Sequence, residues 1–339
     1  MKTIRVAING FGRIGRAFTR LAYEVKDIEI VAINDLGSTE SLAYLLKHDS
    51  VYGKAAFEVG VEGSSLVVGG NKIPVLAEKD PALLPWGKME VDVVVESTGL
   101  FTTYEKARAH ITAGAKRVVI TAPVKDDEAG AGATILMGVN EDRFKTCDIS
   151  SNASCTTNAA SPLIAILDEA LGIEKAVLST THAITNSQPS VDSPNKKDMR
   201  EGRASGHNIV PTSTGAAIAV TKAFTKLDKL FDGISLRVPV IAGSMVDVTF
   251  VAKRATTAEE INEMLKKAAR DKRWEGVFTV TEEELVSSDI IGMRYGAIAD
   301  LTMTRVVGGN LVKVMAWYDN EMGYTNTLVK HVLEAGKHL

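Results

Sequence analysis

Short apolar runs punctuate the first 150 positions: Ile4 to Ile8, Ile28 to Ile33, Val91 to Glu96, Arg117 to Thr121, Ile135 to Val139 and Asp148 to Ser151. Between several of them lie stretches of helical apolar period, with Phe18, Leu21 and Ala22 on one face and a further segment at Tyr104 to Ala113. Buried strands alternating with helices predict a parallel sheet with crossover connections, a doubly wound α/β domain. The texture changes near residue 155. An apolar helical pattern runs from there to about Leu171, and longer strand patterns follow at Glu174 to Ile184, Gly233 to Pro239, Met245 to Ala252, Asp300 to Val307 and Asn310 to Trp317. These predict an α+β domain with a largely antiparallel sheet. A helix at roughly Thr257 to Arg270 opens on the capping pair Thr257 and Glu260. A last amphipathic helix, about Glu321 to Gly336, is placed to pack back on the first domain. The expected division is residues 1–154 with 320–339 in one domain and 155–319 in the other.

The first turn carries candidate chemistry. The run Ile4 to Ile8 leads into Gly10, Phe11, Gly12, Arg13, Ile14 and Gly15, and a helix pattern follows at once. In a strand, turn and helix of this kind the first glycine permits the turn, the second lets the backbone approach a pyrophosphate, and the third lets the helix pack on the sheet. Alone, such a string is a weak signal. Here a second strand ends just before Asp35, where a carboxylate can accept hydrogen bonds from an adenosine ribose. The first domain therefore reads as Rossmann-type, with NAD as cofactor: Asp35 repels the 2′-phosphate of NADP, and Leu36, Gly37 and Ser38 provide no arginine to hold it. NADP use stays open. Ser97, Thr98 and Gly99, and Thr121 after the next strand, sit where such sheets bind ligands, although each also reads as a plain turn.

A second candidate lies at Ser151 to Asn158, SNASCTTN. Cys155 stands at the start of the helix pattern, where unpaired N–H groups and the dipole favour a thiolate, so its pKa is expected to fall. The hydroxyls of Ser154, Thr156 and Thr157 are suited to holding an anion or an oxyanion beside the sulfur. A small buried cysteine behind a Ser/Thr cap is the plainer reading of these residues taken alone. Among six histidines, His182 is preferred as the base because it lies near a strand end and is followed by Thr185 and Ser187; His110 and His331 fall within helices. A nucleophilic thiol beside a nicotinamide points to aldehyde oxidation through a thioester.

Composition narrows the class further. The chain has 339 residues, a length that suggests two domains, and 39 basic against 42 acidic residues, a net charge of −3 that gives no sign of a nucleic-acid partner. No apolar run approaches the roughly 20 residues that span a bilayer, and the chain enters a strand pattern at once, without a signal-peptide layout. Cys147 and Cys155, eight positions apart, match neither a disulfide framework nor a metal motif. The expected compartment is the reducing cytoplasm. The polar segment Asn186 to Gly206 has the length of a functional or interface loop.

Taken together, GFGRIGR at Gly10 to Arg16, ESTGLF at Glu96 to Phe101, SNASCTTN, His182 with Thr185 and Asn186, TSTGA at Thr212 to Ala216, LRVP at Leu236 to Pro239 and WYDNEMGY at Trp317 to Tyr324 resemble the phosphorylating glyceraldehyde-3-phosphate dehydrogenases. The likeness covers essentially the whole chain in the family's order. It implies that Cys155 attacks the aldehyde, that His182 accepts the proton, and that inorganic phosphate opens the resulting thioester to give 1,3-bisphosphoglycerate. It places the substrate phosphate at Thr185 and Arg237, the attacking phosphate at Ser154, Thr156, Thr214 and Gly215, and the nicotinamide at Asn320 with Tyr324 nearby. It further implies a homotetramer in which Asn186 to Gly206 lies against a neighbour's cofactor site.

This sequence departs from the family pattern at four positions: Ala159, Ser187, Ser193 and Met322 replace a second cysteine, an aspartate, an apolar residue near the adenosine and a tryptophan. Ser193 weakens strict NAD selectivity, whereas Asp35 and Pro194 support it. Three rivals remain at this point: an erythrose-4-phosphate dehydrogenase, which Thr214 and Gly215 oppose; a Cys/His hydrolase, which has no use for Gly10 to Asp35; and a non-catalytic NAD-responsive protein, which needs no intact Cys155, Thr156, His182 and Arg237.

Overall fold

A computed structural model describes residues 3–124, 126, 132–196 and 198–339. Lys197, within the long polar segment, lies outside these. The chain forms two compact units: one holds the residues up to Ile135, Asn140–Ala153 and Leu328–Leu339, the other Leu136–Val139 and Ser154–Thr327.

The first unit is built on β1 (Ile4–Asn9), α1 (Arg13–Ala22), β2 (Ile28–Asn34), β3 (Val93–Glu96), α2 (Tyr104–Thr112), β4 (Arg117–Ile120) and β5 (Ile149–Ser151). In the sheet, β2 lies on one side of β1 and β3 on the other, with β4, β5 and a short Ala133–Thr134 strand beyond β3. All these pairs are parallel. Strand order thus reverses direction beside β1, and the carboxyl ends of β1 and β3 flank the switch point where ligands of such sheets bind. Valines 93, 94 and 95 are fully buried, so β3 is covered on both faces and reads as an unbroken apolar run. A Cβ on Gly15 would meet Gly10 O at 2.4 Å and Ile8 Cγ2 at 3.2 Å, which is why α1 lies so close to β1. The far edge is an antiparallel meander, Val59–Glu62, Ser65–Val68 and Asn71–Leu76.

The second unit holds α3 (Cys155–Leu171), β6 (Ile173–Ala183), α4 (Ala216–Ala223), β7 (Phe231–Val238), β8 (Ser244–Ala252), β9 (Leu311–Tyr318) and the start of α5 (Met322–Gly336). Its eight-stranded sheet is largely antiparallel, but β6 and β7 run parallel and pair His182 with Arg237. Alternate residues of β8 and β9, from Val246 to Phe250 and Val312 to Tyr318, are buried on one face, where α3 packs. The opposite face leaves Val177, Ile234 and Leu311 exposed.

Several expectations need correction. Ile135 to Val139 is not a strand: the ladder ends at Thr134, and the chain turns at Leu136–Val139 with Gly138 at φ +79°. Asp300 to Val307 is interrupted, because the Asp300 carboxylate accepts from Thr302 N and Oγ1 and winds Leu301–Met303 into a 3-10 turn. The second unit hands over to the first at Leu328 within α5, later than residue 320, so Asn320 and Tyr324 belong to the second unit. The long loop contains a 3-10 turn at Met199–Gly202.

Candidate active site

In the second unit, Cys155 is the first residue of α3 and Ser154 its N-cap, with Ser154 Oγ accepting from Thr157 N at 3.1 Å. Two residues upstream, Ala153 sits at φ +52°, fully buried, a left-handed conformation that costs a non-glycine residue roughly 1–2 kcal/mol. That bend turns the chain from the end of β5 into the helix. Cys155 Sγ lies 3.3 Å from His182 Nε2. His182 Nδ1 lies 2.6 Å from Ala183 O and 2.7 Å from Arg237 Nη1, which also donates to Ala183 O at 3.1 Å. Burial and the Arg237 charge lower the His182 pKa to about 3, so near neutral pH the ring holds one proton. Nδ1 stands between an acceptor, Ala183 O, and a donor, Arg237 Nη1; a proton on Nδ1, given to Ala183 O, is the tautomer that leaves Nε2 to receive one from the thiol.

The thiol itself corrects an expectation. Its pKa is raised, because burial outweighs the opposing pull of Arg237 and of the Thr156 N–H. The helix start alone does not produce a resting thiolate here.

Behind the sulfur runs a chain of hydroxyls. Thr180 Oγ1 donates to Met245 O at 2.9 Å, so it accepts from Tyr318 OH at 2.7 Å, and Tyr318 in turn accepts from Thr156 Oγ1 at 2.9 Å. In this chain Thr156 directs its hydroxyl proton at Tyr318, while its backbone N–H is turned to the sulfur. Burial raises the Tyr318 pKa, which keeps this phenol protonated, and its ring meets His182 edge-on at 5.9 Å. Sequence reasoning missed Tyr318, Thr180 and Ser244. Ser244 Oγ accepts from Ala183 N and donates to Asn320 Oδ1 at 3.0 Å, which turns the Asn320 amide so that Nδ2 is its outward donor.

The remaining phosphate candidates are placed less closely. Arg237 Nε is buried with no hydrogen-bond partner, a donor suited to an anion. Thr185 is exposed and held by Ser187 Oγ at 2.9 Å and Gln188 Oε1 at 3.2 Å. Thr214 Oγ1 accepts from Ala216 N at 3.2 Å and Gly215 is the N-cap of α4, so this pair forms a second helix start; among the described residues no hydrogen bond joins it to the thiol. Tyr324 is buried in the first turns of α5.

In the first unit, a crevice of about 470 Å³ opens between the ends of β1, β2 and β3, lined among others by Gly10, Gly12, Asp35, Ser97, Thr98 and Phe101. Gly10 is at φ +91° and a Cβ there would fall 2.6 Å from Thr98 N, while Gly12 has nothing within 4 Å of its Cβ position, so its backbone is open to a ligand. Asp35 Oδ2 accepts from Phe11 N at 2.7 Å and Oδ1 from Gly37 N at 2.8 Å. Thr121 Oγ1 donates to Glu96 O at 3.1 Å. Arg13 points away: its guanidinium pairs with Asp49 at 2.6 Å, which leaves its backbone and that of Ile14, at the start of α1, for a phosphate. A dinucleotide fits this donor set, with glycine backbone for the pyrophosphate and a carboxylate for the ribose.

The known proteins agree with both halves. Residues 4–104 match the family described as "Glyceraldehyde 3-phosphate dehydrogenase, NAD binding domain", and residues 154–320 the corresponding "C-terminal domain". The chain belongs to the glyceraldehyde-3-phosphate dehydrogenase family. It is similar to the glyceraldehyde-3-phosphate dehydrogenase of Thermotoga maritima, at 49% identity over 96% of this chain and 97% of the relative. That of Streptomyces coelicolor is 46% identical over 99% of this chain and all of the relative. Glyceraldehyde-3-phosphate dehydrogenase 1 of Bacillus subtilis is 46% identical over 96% of each. The family's NAD-binding domain covers the glycine turn, Asp35 and Ser97 to Gly99; its C-terminal domain covers Ser154 to Asn320, including both Cys155 and His182.

Proposed function

We propose that this member of the family oxidises glyceraldehyde 3-phosphate with NAD and inorganic phosphate, using Cys155 as nucleophile. The 3.3 Å approach of Cys155 Sγ to His182 Nε2 carries the assignment of roles. With one proton on Nδ1, His182 takes the thiol proton as sulfur bonds to the aldehyde carbon, so the thiolate forms in the act of attack rather than standing free at rest. The backbone N–H groups at the start of α3 face the oxygen that becomes negative. NAD, when bound, accepts the hydride that leaves this carbon, and an acyl thioester on Cys155 results. An oxygen of inorganic phosphate then attacks the thioester carbonyl, the C–S bond breaks, and an acyl phosphate departs while sulfur regains its proton from His182.

The buried, unpartnered Nε of Arg237 supports its role, with Thr185, in holding the substrate phosphate; Ser154, the Thr156 N–H and the Thr214–Gly215 helix start suit the attacking one. Asn320, its amide turned by Ser244, suits the nicotinamide carboxamide, with Tyr324 beside it in sequence. We further propose a homotetramer. The open sheet face with Val177, Ile234 and Leu311, and its groove of about 420 Å³, supports burial against a second copy. Two free cysteines, one of them the nucleophile, support a reducing cytoplasmic location.

The deciding measurement is initial-rate absorbance at 340 nm with glyceraldehyde 3-phosphate and NAD or NADP, each with and without phosphate. Phosphate-dependent reduction of NAD is expected, and Cys155→Ser is expected to abolish turnover while NAD still binds. Reduction that ignores phosphate would transfer the reading to a hydrolytic relative.

A further inference from the structure

The carboxyl ends of β1, β2 and β3 are tied together beneath the crevice by a buried chain of side chains whose hydrogen bonds have only one direction. At one end, the Trp86 indole N–H, which can only donate, gives its hydrogen to His110 Nδ1 at 3.0 Å. His110 Nε2–H is then the donor to Glu96 Oε2 at 2.9 Å. At the other end, Glu78 N donates to Asn34 Oδ1 at 2.9 Å, so Asn34 presents Nδ2 to Asn9 Oδ1 at 2.7 Å, and Asn9 presents Nδ2 to the same Glu96 Oε2 at 2.6 Å. Glu96 Oε1 takes both the N–H and the O–H of Thr98, at 2.9 and 2.5 Å. Two oxygens thus collect donors from both sides: four donor contacts end on one side chain that is 2% exposed, beside a fully buried His110.

Apart from Trp86, the links line the crevice or meet a residue that does. Asn9 precedes Gly10, Asn34 precedes Asp35, Thr98 is itself lining, and the His110 ring meets the lining Phe101 edge-on at 6.2 Å. We propose that Glu96, oriented by His110 and Trp86, is the positioning residue that sets the spacing of Gly10, Asp35 and Thr98 for the cofactor. None of the three needs to touch the ligand. A carboxylate is required because the site presents donors alone: a glutamine would turn an N–H against either Thr98 N–H or the pair from Asn9 and His110. The proposal rests on the assignment of this crevice to NAD.

The test measures NAD dissociation constants, the apo-enzyme rate of Cys155 alkylation by iodoacetamide, and the thermal transition, for wild type, Glu96→Gln, His110→Leu and His110→Gln. Glu96→Gln and His110→Leu are expected to weaken NAD binding roughly tenfold, the loss of one hydrogen bond to a charged group. Their alkylation rates stay at the wild-type value. His110→Gln, which can accept from the indole and donate to Glu96, restores affinity. If Glu96→Gln and His110→Leu melt earlier yet bind NAD as wild type does, or if His110→Gln behaves as His110→Leu, the positioning role is overturned. If those two do not accumulate as folded protein, Trp86→Phe decides: weaker NAD binding supports the proposal and unchanged binding overturns it. Wild-type protein that fails to bind NAD would instead remove the crevice assignment.

Discussion

Arg237 Nη1 lies 2.7 Å from His182 Nδ1, and the two residues are register partners on the parallel strands β7 and β6. One guanidinium therefore acts on both reacting groups. It lowers the pKa of His182, and it opposes the upward push of burial on Cys155. The resting site is a thiol facing a neutral imidazole, and the arginine charge helps hold that ring neutral while keeping a buried Nε for an anion.

Arg237→Gln removes the charge and keeps a hydrogen-bonding side chain. The thiol loses a lowering influence, so its pKa rises further, and His182 loses one of the causes that hold its pKa down, so it too rises. The midpoint of iodoacetamide alkylation against pH in the apo enzyme is expected to move up by about one unit, equivalent to about 1.4 kcal/mol. A midpoint that stays in place, with the protein folded, would show that Arg237 has no electrostatic hold on the sulfur.

The two ends of the chemistry differ in how far they could be read from the chain. Gly10, Gly15 and Asp35 were legible because their roles are local: a turn, a close helix and a strand end lie within 25 residues. Cys155 at a helix start was legible for the same reason, since Ser154 caps α3 from the adjacent position. The thiol's pKa was not, because it depends on burial and on Arg237, a partner brought in by the β6–β7 pairing across 55 residues. The Thr156–Tyr318–Thr180 chain and Glu96's donors are likewise contacts between strands distant in sequence. Ile135 to Val139 misled because an apolar run carries no information about whether a ladder partner continues beyond Thr134.

His331 provides a titration away from the thiol. It is fully buried, its Nε2 lies 2.7 Å from Ser150 Oγ, and the Phe144 ring meets it edge-on at 4.7 Å. Burial lowers its pKa from 6.5 to about 3. The folded value lies below the unfolded one, so the unfolded chain takes the proton first as the solution is acidified. The stabilising contribution is complete above pH 6.5 and is lost progressively as pH falls toward 3, by at most about 1.4 kcal/mol per pH unit. Urea midpoints measured between pH 7 and 4.5 are expected to fall less steeply in His331→Gln, which can still bond Ser150. Equal slopes in the two proteins would mean that this histidine is not held neutral.

Asp35 joins the cofactor question to the backbone, because its two oxygens take the N–H groups of Phe11 and Gly37. Its charge thus has a fixed place, and that place sets its effect on a 2′-phosphate. Asp35→Asn keeps the shape, removes the charge and turns one N–H toward a backbone donor. Two effects are expected to separate. KM for NAD rises roughly tenfold, as a charged acceptor for ribose and backbone is lost. At the same time kcat/KM for NADP increases, because the repulsion disappears while Gly37 and Ser38 leave no bulky side chain in its place. Initial rates at 340 nm with both cofactors measure this. A variant whose NAD and NADP constants worsen in parallel would show that Asp35 acts only as a tether for the glycine turn, and that discrimination lies elsewhere in the chain.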